Sequence, residues 1–151
     1  MKGCFRISES FNAKKQCGEK AFAMLVDPDR YEQMLPFLNH PDFISTVDYL
    51  FVGGSLLTAD KMDACINVIK EKAHCPVILF PGSHLQIHPG ADGILLLSLV
   101  SGRNADFLIG RHVEAAAALR ASELEIISTA YMLVHGGRPT TASYISNTQG
   151  I

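Results

Sequence analysis

The sequence predicts a parallel α/β fold, and three observations carry that prediction. Five short apolar runs recur, at Ala21–Val26, Tyr49–Val52, Val77–Phe80, Ile94–Leu97 and Ala130–Val134. Helical patterns separate most of them, and each run ends in turn-forming or small polar residues. Continuous rather than alternating apolar runs suit strands covered on both faces. Repeated strand–helix–strand units imply parallel pairing.

The helical segments follow in order. Tyr31–Leu38 reads as a helix that Pro36 keeps short or kinked. In Asp60–Lys72, Met62, Ile66 and Ile69 share one helix face, and Thr58 or Asp60 can cap the start. The gap from Phe80 to Ile94 is too short for a full helix, so that crossover is compressed. In Asn104–Arg120, Phe107, Leu108, Val113, Ala116 and Ala117 form a broad apolar stripe behind a capping Asn104. Basic residues close both long helices, as the helix dipole prefers. No linker or low-complexity run interrupts the series, so residues 1–151 are expected to form a single domain.

Composition narrows the function. The chain has 151 residues, 48% of them hydrophobic, which argues against disorder. With 13 Lys+Arg against 15 Asp+Glu there is no basic excess, so no nucleic-acid partner is expected. No apolar run approaches the roughly 18 residues of a membrane span. Met1–Ser10 lacks the apolar core of a signal peptide, and a cytoplasmic location is expected. Cys4, Cys17, Cys65 and Cys75 form no Cys-x-x-Cys pair and are expected to be free, buried thiols.

The polar residues gather where the strands end. Ala21–Val26 gives way to Asp27-Pro28-Asp29, and Tyr49–Val52 to Gly53-Gly54-Ser55. Val77–Phe80 meets Pro81-Gly82-Ser83, Ile94–Leu97 meets Ser98, and Ala130–Val134 meets His135-Gly136-Gly137. In a parallel α/β fold these ends share one face, which is the ligand-binding face of barrels and open sheets alike. Taken singly, each is ordinary turn chemistry. Asp27 differs, because a carboxylate directly after a buried run is costly to desolvate without a metal, a proton-transfer role or an N-cap. Gly53-Gly54 can bring backbone N–H groups to an anion, and the Ser55 hydroxyl can reach a cation or phosphate. One Asp with one Ser suits a diphosphate-bound Mg²⁺, which takes few protein carboxylates, and does not suit zinc.

Other clusters weigh less. His84 and His88 have the spacing of a helical zinc pair, but Pro81, Gly82, Pro89 and Gly90 favour a loop. Ser83, Ser98 and Ser101 lack a nucleophile elbow. No Lys stands at any of the five strand ends, which counts against a barrel isomerase or aldolase.

The motifs together are specific. Leu25-Val26-Asp27-Pro28-Asp29-Arg30, Val52-Gly53-Gly54-Ser55, Leu79-Phe80-Pro81-Gly82-Ser83 and Leu97-Ser98-Leu99-Val100-Ser101-Gly102-Arg103-Asn104 occur in that order. Leu108-Ile109-Gly110, Ala130-Tyr131-Met132-Leu133-Val134 and the stretch from Thr140 to Thr148 continue the pattern. From about Ala21 to Thr148 the chain resembles geranylgeranylglyceryl phosphate synthases and their bacterial heptaprenylglyceryl phosphate synthase relatives, nearest the branch of Bacteroidetes-like bacteria.

The resemblance implies a (βα)₈ TIM-barrel-type fold, of which this chain holds the first five strands with their helices. It implies a Mg²⁺-dependent prenyltransferase that joins the C3 hydroxyl of sn-glycerol 1-phosphate to a polyprenyl diphosphate and releases diphosphate. On that resemblance Asp27 and Ser55 ligate Mg²⁺, and Tyr131 is the catalytic residue near the glycerol phosphate. Gly53, Gly54, Ser83, Ser98 and Tyr131 bind substrate, and Leu56, Leu57, Leu97 and Leu99 are candidates for the apolar groove. A homo-oligomer is implied, with at most transient membrane contact for the lipid substrate.

Two departures stand out. Leu25 occupies a place where some bacterial relatives carry Lys. The segments that hold the glycerol phosphate in the family lie beyond Ile151, so the chain is expected to be too short for the whole active site. A non-catalytic truncated paralogue or interaction module is the alternative.

Overall fold

A computed structural model describes residues 6–134 and 136–151. Its centre is one parallel sheet in the order β1 (Ala23–Val26), β2 (Tyr49–Val52), β3 (Val77–Leu79), β4 (Gly93–Leu99) and β5 (Glu125–Tyr131). Ala23 pairs with Tyr49, Leu50 with Val77, Ile78 with Gly93, and Gly93 in turn with Glu125. Strand order follows chain order, so every crossover runs the same way and all carboxyl ends share one edge.

Side-chain alternation along the strands divides the core in two. Met24, Val26, Leu50, Val52, Val77, Leu79 and Ile94 pack with Ile66 and Ile69 of α4 (Met62–Lys72) and with Ala115 and Leu119 of α5 (Arg111–Ala121). Tyr49, Ile78 and Leu95, with Phe51, Phe80, Leu97 and Ile127, occupy the opposite face. That face carries the edge-on pairs Phe51–Phe80, 5.9 Å between ring centroids, and Phe80–Tyr131, 6.1 Å.

The fifth strand differs from the sequence expectation. It runs over Glu125–Tyr131, not Ala130–Val134, pairing along its whole length with β4. The reason is that β5 has one strand neighbour and alternates in exposure, so Glu125-Ile126-Ile127-Ser128-Thr129 does not read as a continuous apolar run. Met132–Val134 lie beyond its end.

α1 (Ile7–Cys17) was not legible, because only Ile7 and Phe11 of its residues join the core. Its amino end is held by Glu125, whose carboxylate accepts the N–H of Ile7, the N–H of Ser8 at 3.0 Å and the Ser8 hydroxyl. Phe11 packs edge-on against Tyr49 at 4.6 Å, and the Tyr49 and Ser10 hydroxyls lie 2.6 Å apart. A Cβ at Gly93 would meet Ile7 Cδ1 at 2.8 Å. α1 thus covers the inner sheet face at the amino ends of the strands and leaves the carboxyl ends to other residues.

Between β1 and β2 the chain forms a 3₁₀ turn at Pro28–Met34, then two single α turns, α2 (Leu35–Leu38) and α3 (Pro41–Ile44). Pro36 sits in the first turn of α2, where its missing N–H costs nothing. Neither Thr58 nor Asp60 caps α4, which begins after Lys61 with no side-chain cap. Thr58 instead gives its N–H and hydroxyl to Asp29, each at 2.7 Å, tying the segment to the turn after β1. These bonds from Thr58 hold the Asp29 carboxyl below its ordinary value.

No helix joins β3 to β4, as the short gap predicts. A π turn at Asp106–Gly110 leads into α5, and Asn104 Oδ1 accepts the Asp106 N–H at 3.1 Å as a cap. The carboxyl-terminal α6 (Thr141–Ile145) opens with a reciprocal Thr140–Ser143 capping box. Among the described cysteines, Cys65 is buried and Cys75 half-buried, whereas Cys17 is exposed at the end of α1. Cys4 lies outside the described residues. No helix of the described residues is long and apolar enough to cross a membrane.

Candidate active site at the carboxyl ends of the strands

The first three strands each end in a tight turn, and the turns are pressed together. Backbone pairing continues one residue past the strands, through Gly53 N–H to Val26 O at 3.1 Å and Phe80 N–H to Val52 O at 2.8 Å. A Cβ on Gly53 would fall 1.9 Å from Phe80 O, and one on Gly82 would fall 2.3 Å from Gly54 O. No side chain fits at either place, so here glycine is a steric requirement of the close approach.

Asp27 follows β1 directly. Its Oδ1 accepts the Asp29 N–H at 3.0 Å and caps the 3₁₀ turn, so the N-cap reading of this residue holds. The same oxygen faces the next turn, because a Cβ on Gly54 would lie 3.3 Å from it. Ser55, one residue on, is exposed. The structure therefore brings Asp27 and Gly53-Gly54-Ser55 to adjoining strand ends.

Beside them opens a cavity of about 250 Å³. Gly53, Gly54, Ser55, Gly82 and Ser83 line it, together with Leu25, Leu97, Leu99, Phe107 and Tyr131. The compressed crossover leaves room for it, since Ile87 of that crossover and Ala115 and Leu119 of α5 are also on its wall. Ala142, Ile145 and Ser146 contribute from α6 and its end.

The other expected residues divide. Tyr131, the last residue of β5, lines the cavity with its ring edge-on to Phe80. The Ser83 hydroxyl oxygen accepts the Leu85 N–H at 3.3 Å, which leaves its proton free to donate. Ser98 is not brought to the cavity. It points to the helix side of β4, 3.5 Å from His112 Nε2, while His112 makes its shorter contact with Leu97 O at 2.8 Å. Leu97 and Leu99 line the cavity, and Leu56 and Leu57 do not. Of the turn after β5, Gly136 and Gly137 have open space around them, and His135 lies outside the described residues.

His84 and His88 part company. Arg111 donates to His84 Nδ1 at 2.9 Å and to Glu114 at 3.0 Å. His88 accepts the Gly90 N–H on Nδ1 and turns Nε2 to Asp63 on α4. Among the described residues no group of three or more His, Cys, Asp and Glu gathers as a metal cage.

Arg111, on the cavity wall, and Gln86, bonded to Gly82 and Gly54 of that wall, are residues that sequence reasoning missed. Both lie several residues beyond a strand end, and only the folding back of the crossover and the start of α5 brings them to the site.

Comparison with known proteins gives a consistent set. Residues 15–151 match the PcrB family. A geranylgeranylglyceryl phosphate synthase of Chitinophaga pinensis is 46% identical over 147 residues, covering 97% of this chain and 58% of that protein. The corresponding protein of Spirosoma linguale is 51% identical over 143 residues, covering 89% of this chain and 54% of that protein. Among solved structures, that of (S)-3-O-geranylgeranylglyceryl phosphate synthase from Thermoplasma acidophilum with sn-glycerol-1-phosphate superposes with a TM-score of 0.85 at 29% identity. It covers 97% of this chain and 59% of that one. The five parallel strands with their helices are thus the first part of a TIM-barrel-type α/β fold, and the chain spans a little over half the length of these relatives.

Proposed function

This chain belongs to the PcrB family, and from that premise we propose that it carries the metal- and diphosphate-binding part of a prenyltransferase acting on sn-glycerol 1-phosphate. In that reaction the C3 oxygen of glycerol phosphate bonds to the first carbon of a polyprenyl group. The bond from that carbon to diphosphate breaks, and diphosphate and a proton leave.

One observation carries the reading. A cavity lined by Leu, Ile and Phe side chains is also lined by Gly53-Gly54-Ser55 and Gly82-Ser83, with Asp27 adjoining. A prenyl diphosphate has the same division between an apolar tail and an anionic head. Apolar walls favour the tail by roughly 0.8 kcal/mol for each CH₂ removed from water. They also exclude the water that would compete with the glycerol hydroxyl.

Asp27 and Ser55 fit Mg²⁺. Asp27 is a half-buried carboxylate with one backbone bond at 3.0 Å, and Ser55 presents an exposed hydroxyl at the adjoining turn. A single carboxylate suffices for an ion that takes its other ligands from phosphate and water. When bound there, Mg²⁺ supplies neutralisation of the charge that develops on the diphosphate leaving group. The protein's own part is to hold the head group against Gly53 and Gly54, to donate from Ser83, and to present Tyr131 to the glycerol phosphate.

The test uses this chain joined to the carboxyl-terminal part of the Chitinophaga relative, incubated with Mg²⁺, sn-glycerol 1-phosphate and geranylgeranyl diphosphate. Ether product is expected, and Asp27→Ala is expected to abolish most of it. Undiminished product from Asp27→Ala refutes the metal assignment. Absence of product from the joined protein, where the relative makes it, favours a non-catalytic paralogue.

A further inference from the structure

Gln86 stands outside every motif of the strand ends, yet its side chain joins two of them. Gly82 N–H donates to Gln86 Oε1 at 3.0 Å, and Gln86 Nε2 donates to Gly54 O at 3.2 Å. Which end of the amide is oxygen follows from its partners, since a backbone N–H can only donate and a backbone carbonyl only accept. The strand ladder between β2 and β3 stops at Phe80 N–H to Val52 O. Beyond it the two turns stay in contact without a backbone bond between them, and the Gln86 amide bonds one group from each in place of a further rung.

Gln86 is itself held. Its backbone N–H donates to Ser83 O at 3.0 Å, closing a turn just after Gly82. The bridge spans the place where Gly82 approaches Gly54 O and the Ser55 Cα most closely. Loss of the bridge frees two half-buried polar groups and lets turns packed on each other's backbone slide apart.

We propose that Gln86 is a positioning residue that fixes the spacing between the Gly53-Gly54-Ser55 and Pro81-Gly82-Ser83 turns, and with it the grip on a diphosphate head group. This rests on the diphosphate reading of the site given above. It assigns Gln86 no contact with substrate. Its effect passes through Ser55 and Ser83, which stand on the two turns it ties.

The test uses the full chain and inorganic pyrophosphate with MgCl₂ as the probe, measured by calorimetry. Gln86→Met keeps the length of the side chain without its amide. Gln86→Asn keeps the amide but is one methylene too short to span both turns. In both variants pyrophosphate binding is expected to weaken about tenfold, the equivalent of one or two hydrogen bonds. Exchange of the Gly82 N–H is expected to quicken by a similar factor, with the thermal midpoint within a few degrees of the parent. A merely structural role moves the midpoint and leaves binding by the folded fraction unchanged. Parent-like binding in either folded variant overturns the proposal, whatever the exchange rate. Failure of the parent chain to bind magnesium pyrophosphate is a different result, and overturns the diphosphate reading together with the role built on it.

Discussion

Asp27 and Gly54 adjoin across the gap between β1 and β2, with Asp27 Oδ1 3.3 Å from where a Cβ on Gly54 would stand. The oxygen that faces Gly54 also caps the turn after β1 through Asp29 N–H. Structure and proposed chemistry can therefore be separated at this residue. Asp27→Asn keeps an acceptor for the cap and removes the charge. Its unfolding free energy is expected to stay within about 0.5 kcal/mol of the parent, because Asn caps as well as Asp. Its binding of magnesium pyrophosphate is expected to be lost. Asp27→Ala is expected to lose the binding and also about 1 kcal/mol of stability. Urea midpoints with calorimetric titration check both halves.

Gly53 offers a test of the backbone approach. In Gly53→Ala the new methyl would fall 1.9 Å from Phe80 O, a backbone atom that cannot swing aside. About 3 kcal/mol of destabilisation is expected, the upper part of the range for overpacking. Gly136→Ala is the control, since nothing lies within 4 Å of that added atom. Its change is expected to stay within about 0.5 kcal/mol. Equal midpoints for the two variants would contradict the packing described.

Tyr131 packs on Phe80 through its ring, which leaves the hydroxyl for the proposed role. Tyr131→Phe is expected to unfold at the parent's urea midpoint. In the joined protein it is expected to slow ether formation tenfold or more, within the range for a positioned proton-transfer or hydrogen-bonding group. Tyr131→Ala is expected to cost about 2 kcal/mol as well, for a half-buried ring. An unchanged rate in Tyr131→Phe removes the hydroxyl from the mechanism.

Glu125 anchors α1, and this gives a pH dependence of definite sign. Partial burial raises its pKa, but the bonds from the Ser8 hydroxyl, the Ser8 N–H and the Ile7 N–H outweigh that and hold it below the ordinary value. The unfolded chain, with an ordinary Glu near pKa 4.3, then binds more protons over the interval between the two values. The contribution is therefore complete above the ordinary value and lost as pH falls through the lowered one. Glu125→Gln is expected to be less stable than the parent at pH 7, with the gap narrowing as pH drops below about 4. Paired urea titrations at the two pH values read this directly, and a constant gap would disprove it.

The thiols should separate by reactivity. Burial pushes the Cys65 thiol up to about 12, with the charges of Asp27 and Glu32 adding to it, and burial likewise raises Cys75. Only thiolate attacks a disulfide reagent. In the folded chain at pH 8, Cys17 is expected to be modified quickly, Cys75 slowly and Cys65 only after unfolding. Peptide mapping after timed quenching distinguishes the three, and early modification of Cys65 would mean that the core around α4 is open.

By itself the sequence determined the fold class, four of the five strands, the helices α4 and α5 and the common edge where polar turns collect. Val77–Leu79 and Tyr49–Val52 are buried on both faces, so their composition alone declares them strands. Asp27, Gly53, Gly54 and Ser55 were legible for a related reason, since polar and glycine residues directly after buried runs stand out against them. Tertiary structure decided the rest. β5 is half-exposed and reads as polar until β4 is beside it. α1 contributes only Ile7 and Phe11 to the core and is anchored from a distance by Glu125. Thr58 looks like a helix cap in one dimension, but Asp29 takes it in three. Ser98 stands near the carboxyl end of its strand as Tyr131 does, yet the two-residue alternation of a strand sends it to the helix side. Gln86 matters because two backbones meet at Gly54 and Gly82, and no local pattern records the distance between turns that lie some thirty residues apart in the chain.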